Sequence, residues 1–199
     1  MALNAKYLGL TDYKACWLDM KTHIENNPKS DEIWVTEHNQ IYTTGLNKKD
    51  FKLPNTSIPH LFVDRGGKIT FHGPGQIIFY FLISLDRNKL SIRQLVAGIE
   101  NSILIFLKSK KIIGELQKNA PGVYINKRKI ASIGLRLKKG YTYHGVSLNV
   151  NMNLEPFLDI DPCGYEGLKM AQLKEYLPKI SQGEVEKEVL EQFKLFLGY

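Results

Sequence analysis

The sequence predicts an α+β fold in which a mixed or mostly antiparallel β-sheet is flanked by helices. Helical and strand patterns alternate along the 199 residues without the regular strand–helix–strand winding of a parallel sheet. Residues 76–85 are apolar on both faces, as a central, covered strand should be. Three strand patterns, at 122–126, 129–137 and 141–150, follow one another across short polar turns, which is typical of a meander. We expect a single domain over residues 1–199, because this length can bury a core without disulfides or metals.

The first part of the chain contains one predicted helix and three predicted short strands. Four apolar residues recur at helical spacing: Tyr13, Trp17, Met20 and Ile24. Thr11 is a possible cap for this helix, and residues 26–28, which end in proline, stop it. Strand patterns follow at 32–37 and 41–44, about a turn-prone segment, and again at 68–71.

The later helices are marked by their caps and apolar stripes. Ser91 is predicted to cap a long amphipathic helix that ends before Gly114. Its stripe consists of Leu95, Ile99, Ile103 and Phe106. Residues 168–177 read as a short helical segment, and Ser181 with Glu184 forms a predicted capping box. The inward face of the last helix consists of Val185, Val189, Phe193 and Phe196.

The charge of the chain is concentrated in one stretch. Residues 108–139 carry ten basic side chains against Glu115 alone, a local net charge of +9 in a chain of +7. Such a stretch is either a solvated face or a surface that steers an acidic partner, whether nucleic acid or an acidic protein. No apolar run approaches the ~18 residues of a membrane helix, and the N-terminal residues do not resemble a signal peptide. We therefore expect a cytoplasmic protein with no membrane partner.

Common catalytic signatures are missing from the sequence. The five histidines are scattered, and there is neither a CxxC pair nor an HExxH helix, so no metal is expected. The phosphate loop GxxxxGK[ST], the dinucleotide pattern GxGxxG and the nucleophile elbow GxSxG are absent too. Cysteine chemistry or general acid–base chemistry remains.

The two cysteines have different surroundings. With no export signal, both are expected to be free thiols. Cys163 stands between Pro162 and Gly164 at a predicted turn before a helical segment, where a thiolate is favoured; the alternative is a quiet buried thiol. Cys16 is expected to pack in the core beside Trp17.

A glycine-rich stretch and four later motifs carry a family resemblance. The stretch is RGGKITFHGPGQ, at 65–76, with Tyr80 behind it. The later motifs are APGVY at 120–124, KIASIG at 129–134, HGVSLNV at 144–150 and PCG at 162–164. In this order they resemble the lipoyl(octanoyl) transferases, which move octanoyl from acyl carrier protein to lipoyl domains. The chain departs from the family pattern at Gln40, where proline is common, and at Asp161, where asparagine is frequent.

The resemblance implies a fold like that of the biotin and lipoate protein ligases and a mechanism without a cofactor. It implies that Cys163 is the acyl-accepting nucleophile and that Lys129 is its partner. It also implies an acyl-binding site made of Arg65, Gly66, Gly67, Lys68, Ile69, Thr70, Phe71, His72, Ser132, Ile133, Gly134, Gly145, Val146 and Ser147. The implied donor is octanoyl-acyl carrier protein, and the implied acceptors are lipoyl domains of 2-oxoacid dehydrogenases and the glycine cleavage H protein. We expect a monomer.

Two other functions remain open at this point. An ATP-dependent lipoate or biotin ligase would share the fold and a related glycine-rich segment, but it needs no cysteine nucleophile. A nucleic-acid-binding protein would explain the basic stretch and the sequence pI of ≈ 9.2. It would leave the glycine-rich and Pro-Cys-Gly motifs as coincidences, so no nucleic-acid partner is expected.

Overall fold

The computed structural model describes residues 3–48, 54–118, 120–161 and 167–199. The strands in these ranges are β1 (Leu3–Thr11), β2 (Asp31–His38), β3 (Ile41–Thr44), β4 (His60–Phe62), β5 (Ile69–His72), β6 (Gln76–Leu82), β7 (Glu115–Leu116), β8 (Gly122–Ile125), β9 (Arg128–Lys138) and β10 (Tyr141–Asn149). The α-helices are α1 (Tyr13–Glu25), α2 (Leu85–Asn88), α3 (Ile92–Ser109) and α4 (Gln182–Leu197).

The strands form a large sheet and a small one. The seven-stranded sheet has the order β1-β2-β6-β10-β9-β8-β7, and the three-stranded sheet has the order β4-β3-β5. In the large sheet β1 runs parallel to β2, and the other pairs are antiparallel. The predicted mixed sheet flanked by helices is therefore confirmed, and so is the meander, as β8, β9 and β10.

Strand β6 is apolar on both faces because both faces are buried. Alternate side chains of a strand point to opposite sides of a sheet. Phe79 and Phe81 face α4, where both rings contact Phe193, with ring centres 5.1 and 4.9 Å from it. Tyr80 and its alternate neighbours belong to a second apolar cluster with residues of α1. Helices therefore cover both faces of this strand, as the sequence predicts.

Several local predictions are corrected by the structure. Helix α1 is capped by Asp12, whose Oδ1 accepts the Ala15 N–H at 2.8 Å, whereas Thr11 ends β1. Strand β1, whose side chains are mostly exposed, is not among the strands predicted from the sequence. Strands β2 and β3 lie where predicted but belong to different sheets.

The predicted short helix at 168–177 is wrong for most of its length. Only a 3-10 turn, Leu173–Glu175, forms in the described part of that segment. The residues before it are paired with β9 instead, because the Lys129 N–H donates to the Lys169 carbonyl and the Ala171 N–H donates to the Lys129 carbonyl, both at 2.9 Å. The predicted caps Ser91 and Ser181 are confirmed at α3 and α4.

Candidate functional site

A slender cavity lies between α1, the 65–68 loop and strands β5, β6, β9 and β10. Its empty volume, which includes open solvent at its mouth, is ≈ 460 Å³. It is lined by Tyr13, Arg65, Gly66, Gly67, Lys68, Thr70, His72, Ile78, Tyr80, Ser132, Ile133, Gly134, His144, Gly145, Val146 and Ser147. Twelve of the fourteen residues expected at the acyl site from the sequence thus meet around one cavity, although they come from three separate segments.

Ile69 and Phe71 do not line this cavity. They alternate along β5 with Thr70 and His72, so their side chains point to the opposite face. There they join an apolar cluster with Tyr42 and neighbouring residues. They therefore lie outside this cavity, because the side chains of a continuous motif on a strand divide between the two faces of the sheet. Their part in the acyl site stays a prediction.

Four lining residues are not in the set expected from the sequence. Ile78 and Tyr80 come from β6, His144 begins the β10 segment that lines the cavity, and Tyr13 comes from α1. The sequence does contain a signal for Ile78 and Tyr80, because every second residue of a strand points to the same face of the sheet. The sequence assigns Tyr13 only to the apolar stripe of its helix, and nothing in it links Tyr13 to the glycine-rich stretch.

The 65–68 loop is fixed by backbone contacts on both sides. The Gly66 N–H donates to the Leu135 carbonyl at 3.1 Å, and the Leu46 N–H donates to the Arg65 carbonyl at 3.0 Å. Gly67 has a φ of +86°, which favours glycine. A Cβ on Gly45 would lie 2.4 Å from the Gly67 carbonyl oxygen, so the two backbones touch where both side chains are missing.

The Arg65 guanidinium is turned toward the backbone of the chain. It donates to the Thr43 carbonyl at 2.6 Å, to the Thr43 hydroxyl at 2.9 Å and to the Gly66 carbonyl at 2.9 Å. These bonds tie the cavity loop to β3. Arg65 therefore shapes the wall of the cavity by holding the loop in place.

Two histidines of the inner wall are buried and neutral. The His72 Nδ1 donates to the Gln76 side-chain oxygen at 2.7 Å, and burial, with nearby His38 and Arg65, lowers the pKa of His72 to about 3. The His144 Nε2 donates to the Asp64 carboxylate at 3.0 Å, and burial lowers the His144 pKa despite that carboxylate. The remaining ring nitrogens, His72 Nε2 and His144 Nδ1, have no hydrogen-bond partner among the described residues.

Asp64 gathers three donors behind the cavity. Its carboxylate accepts from Trp17 Nε1 at 2.8 Å, from the Tyr143 hydroxyl and from His144. Burial opposes its ionisation, but these hydrogen bonds outweigh burial and hold the Asp64 pKa well below its usual range. Asp64 is therefore charged at neutral pH and fixes the orientation of the His144 ring.

A tyrosine–histidine pair completes the inner wall. The His38 Nδ1 donates to the Thr11 carbonyl at 3.1 Å, which leaves Nε2 to accept from the Tyr80 hydroxyl at 2.6 Å. Burial lowers the His38 pKa to about 4 and raises the Tyr13 pKa to about 12. His38 and Tyr13 are therefore uncharged at pH 7, whereas the nearby Arg65 guanidinium is charged and is bonded to the backbone of β3.

Lys129 lies on β9, three residues before Ser132, and is not among the lining residues of the cavity. Its side chain is 1% exposed, and its Nζ lies 5.3 Å from the centre of the Tyr124 ring. Gly122 makes room for it, since a Cβ there would lie 2.7 Å from Lys129 Cε. The backbone bonds to Lys169 and Ala171 join Lys129 to the segment that follows the Pro-Cys-Gly motif.

Cys163 lies outside the described residues, so its role as the nucleophile stays a prediction. Cys16 is buried and free, as expected, and burial raises its pKa to about 12, so it is a poor nucleophile. Within the described ranges no group of three or more His, Cys, Asp or Glu side chains could hold a metal ion. Of the helices in those ranges, none has the length and apolarity needed to span a membrane.

The chain is similar to known proteins in sequence and in fold. Residues 18–194 match the model of the lipoyl protein ligase A/B catalytic domain. An octanoyltransferase of Vibrio vulnificus is 45% identical over 200 residues, covering 99% of this chain and 92% of that protein.

Two groups of solved structures share the fold at low identity. A T. acidophilum protein assigned as a lipoate protein ligase superimposes with a TM-score of 0.79 at 13% identity, over 99% of this chain and 85% of that one. The biotin protein ligase of Aquifex aeolicus superimposes with a TM-score of 0.60 at 18% identity, over 99% and 70% of the two chains. The expected likeness to biotin and lipoate ligases is confirmed as a likeness of fold.

Proposed function

Because the chain belongs to the lipoyl protein ligase A/B catalytic domain family and acts as an octanoyltransferase in protein lipoylation, we propose that it works through a thioester on Cys163. The donor is octanoyl-acyl carrier protein, and the acceptor is a lysine of a lipoyl domain. The acceptors include lipoyl domains of 2-oxoacid dehydrogenases and the glycine cleavage H protein. No nucleotide takes part.

The cavity is the observation that carries this proposal. Its lining includes Gly66, Gly67 and Gly134, which have no side chains to fill it, and His72, which burial keeps neutral at pH 7. Burial of an alkyl chain there contributes ~0.8 kcal/mol per methylene, so an octanoyl group gains several kcal/mol of binding free energy. The cavity residues expected from the sequence bind the acyl chain, apart from Ile69 and Phe71, which face elsewhere.

We propose Lys129 as the partner of Cys163 because of the segment to which its backbone is bonded. Gly167 follows Cys163 by four residues in the chain, and Lys129 is hydrogen-bonded to the segment that begins at Gly167. An ammonium group beside a thiol favours the thiolate, the form that attacks a thioester.

The proposed proton transfers form a closed cycle. The Cys163 thiolate attacks the carbonyl carbon of the donor thioester; the new C–S bond forms, the old one breaks, and the departing carrier thiolate takes a proton from the Lys129 ammonium. A neutral lysine amine of the acceptor then attacks the acyl-enzyme. The amide C–N bond forms, the bond to Cys163 breaks, and neutral Lys129 takes the proton of the incoming amine. The thiolate and ammonium are thereby restored.

Intact-mass spectrometry tests the thioester directly. The protein is incubated with octanoyl-acyl carrier protein without ATP, and we expect one octanoyl adduct that hydroxylamine removes. The adduct should be absent in Cys163→Ala and present in Cys16→Ala, which is the matched control. Full transfer by Cys163→Ala, or strict dependence on ATP, would instead identify a ligase mechanism.

A further inference from the structure

The basic stretch at 108–139 does not form one continuous positive surface. Lys110 pairs with Glu184 and Glu188, each at 2.8 Å. Lys138 pairs with Glu25 at 2.9 Å. Lys129 is buried, so its charge is not presented to a partner. The net charge read from the sequence therefore overstates what an acidic partner would meet.

A groove beside the β8–β9 turn retains much of the remaining charge. It is lined by Gln117, Asn126, Lys127, Arg128, Gly167, Leu168 and Lys169. Three of these seven residues are cationic, and none is acidic. Arg128 is bonded to Glu175 at 2.7 Å, whereas Lys127 and Lys169 make no ion pair with any described residue. Lys118, one residue beyond the groove, is exposed and also lacks an ion pair within those ranges.

The groove is close in the chain to the proposed nucleophile. Gly167 lines it and is four residues from Cys163, and Lys169 lines it while its carbonyl accepts the Lys129 N–H. A partner seated on Lys127 and Lys169 would thus contact residues that are close in the chain to both groups that we propose for acyl transfer. Lysines that make no ion pair within the protein are suited to bind an acidic surface. They attract it and raise the rate of encounter, and no existing ion pair has to break before they bind.

We propose that this groove is the docking surface for an acidic, acyl-carrying protein, with Lys127 and Lys169 as its principal contacts. The inference rests on the proposed function for the identity of the cargo. It adds where the donor binds, which neither the family nor the cavity defines. The acceptor domain is not assigned to this surface.

The test reverses the charge of the two lysines. Lys127 lies in a tight turn with a φ of +63°, so aspartate, which tolerates that conformation, is the appropriate replacement there. The variant is Lys127→Asp with Lys169→Glu. Its matched control is Lys14→Glu with Lys29→Glu, two exposed lysines outside the groove that give the same change in net charge.

Two measurements separate docking from chemistry. With octanoyl-acyl carrier protein at low salt, we expect kcat/KM of the groove variant to fall by about 10- to 100-fold through a higher KM, and much less in the control pair. With a neutral small thioester, octanoyl N-acetylcysteamine, both variants should equal the parent. The dependence of kcat/KM on ionic strength should flatten in the groove variant only.

Direct binding makes the test independent of the reaction. Fluorescence anisotropy of a labelled carrier protein should show the same loss of affinity in the groove variant, even if no acyl-enzyme forms on Cys163. Three results would each overturn the assignment. They are an equal fall in kcat/KM in the groove variant and the control pair, a fall in the groove variant that is as large with the neutral thioester as with the carrier protein, and an unchanged affinity of the groove variant for the carrier protein. Failure of the Cys163 adduct with intact carrier binding would refute the thioester and leave the docking surface standing.

Discussion

Replacing Asp64 with asparagine should lower the free energy of unfolding by about 2 kcal/mol at pH 7. The Asp64 carboxylate is less than a third exposed and accepts from Trp17, Tyr143 and His144. In the variant one oxygen can still accept from Trp17 and His144, but each bond falls from the charged range of ~1.5–3 kcal/mol toward ~1 kcal/mol. The Tyr143 hydroxyl must rotate, because it would face an amide N–H.

The effect of Asp64→Asn should also depend on pH. Because hydrogen bonds hold the Asp64 pKa below its unfolded value of about 3.9, its contribution is complete well above that pH and is lost as the pH falls through the folded pKa. The parent and the variant should therefore differ in their free energy of unfolding by roughly 1 kcal/mol less at pH 3 than at pH 7.

Urea unfolding from pH 7 to pH 3, in constant sucrose to keep the protein folded in acid, measures this difference. Asp19→Asn, at an exposed position on α1, is the control and should change stability by less than ~0.5 kcal/mol. A variant as stable as the parent at pH 7, or a difference that stays constant down to pH 3, would refute the role assigned to Asp64.

Two further perturbations test other parts of the structure. Gly75→Ala should destabilise the protein by ~3 kcal/mol or more, since its Cβ would lie 2.0 Å from the Asn151 carbonyl at a φ of +86°. Gly183→Ala in α4, where a Cβ meets no atom within 4 Å, should instead stabilise it by up to ~1 kcal/mol; thermal unfolding compares the two, and equal effects would contradict the contact at Gly75. His38→Gln should reduce the loss of stability between pH 6 and pH 4 by up to ~1.4 kcal/mol per pH unit, because the folded-state pKa of His38 is lowered to about 4 and the unfolded chain binds the proton first. Urea unfolding at pH 6, 5 and 4 measures that slope, and an unchanged slope would mean that His38 is not neutral in the fold.

The parts of the fold that the sequence predicts are those with strong local signals. Helix α3 has both a cap at Ser91 and an apolar stripe, and β6 has a run of apolar residues that only a doubly covered strand would bury. Strand β1 has neither, because it lies at the edge of the sheet with most side chains exposed. The helix predicted before Leu173 is wrong because the structure of that segment depends on pairing with Lys129, a contact between residues about forty positions apart.

The residues of the cavity were likewise predictable where a local motif marks them and not where they depend on long-range packing. The family motifs identify most of the cavity wall, since strands β9 and β10 are neighbours and carry two of those motifs. They do not reveal which side chains face the cavity, because that depends on the alternation of side chains along each strand, which turns Phe71 away from the cavity. They also give no information on Tyr13, which reaches the cavity only because α1 packs across that face of the sheet.

The glycine-rich stretch at 64–80 shows how one sequence feature can serve two structural purposes. Gly66 and Gly67 line the cavity, and a Cβ on Gly45 would clash with their carbonyl oxygens, so the loop passes directly against Gly45. Gly75 does not approach the cavity; its carbonyl accepts the Asn151 N–H at 2.9 Å, and its N–H donates to the Glu37 carboxylate at 2.6 Å. The second glycine pair, Gly73 and Gly75, is therefore not among the residues that line the cavity. Because the second pair fixes the end of β10 instead, changes there should act through stability, whereas changes at Gly66 should act on acyl binding.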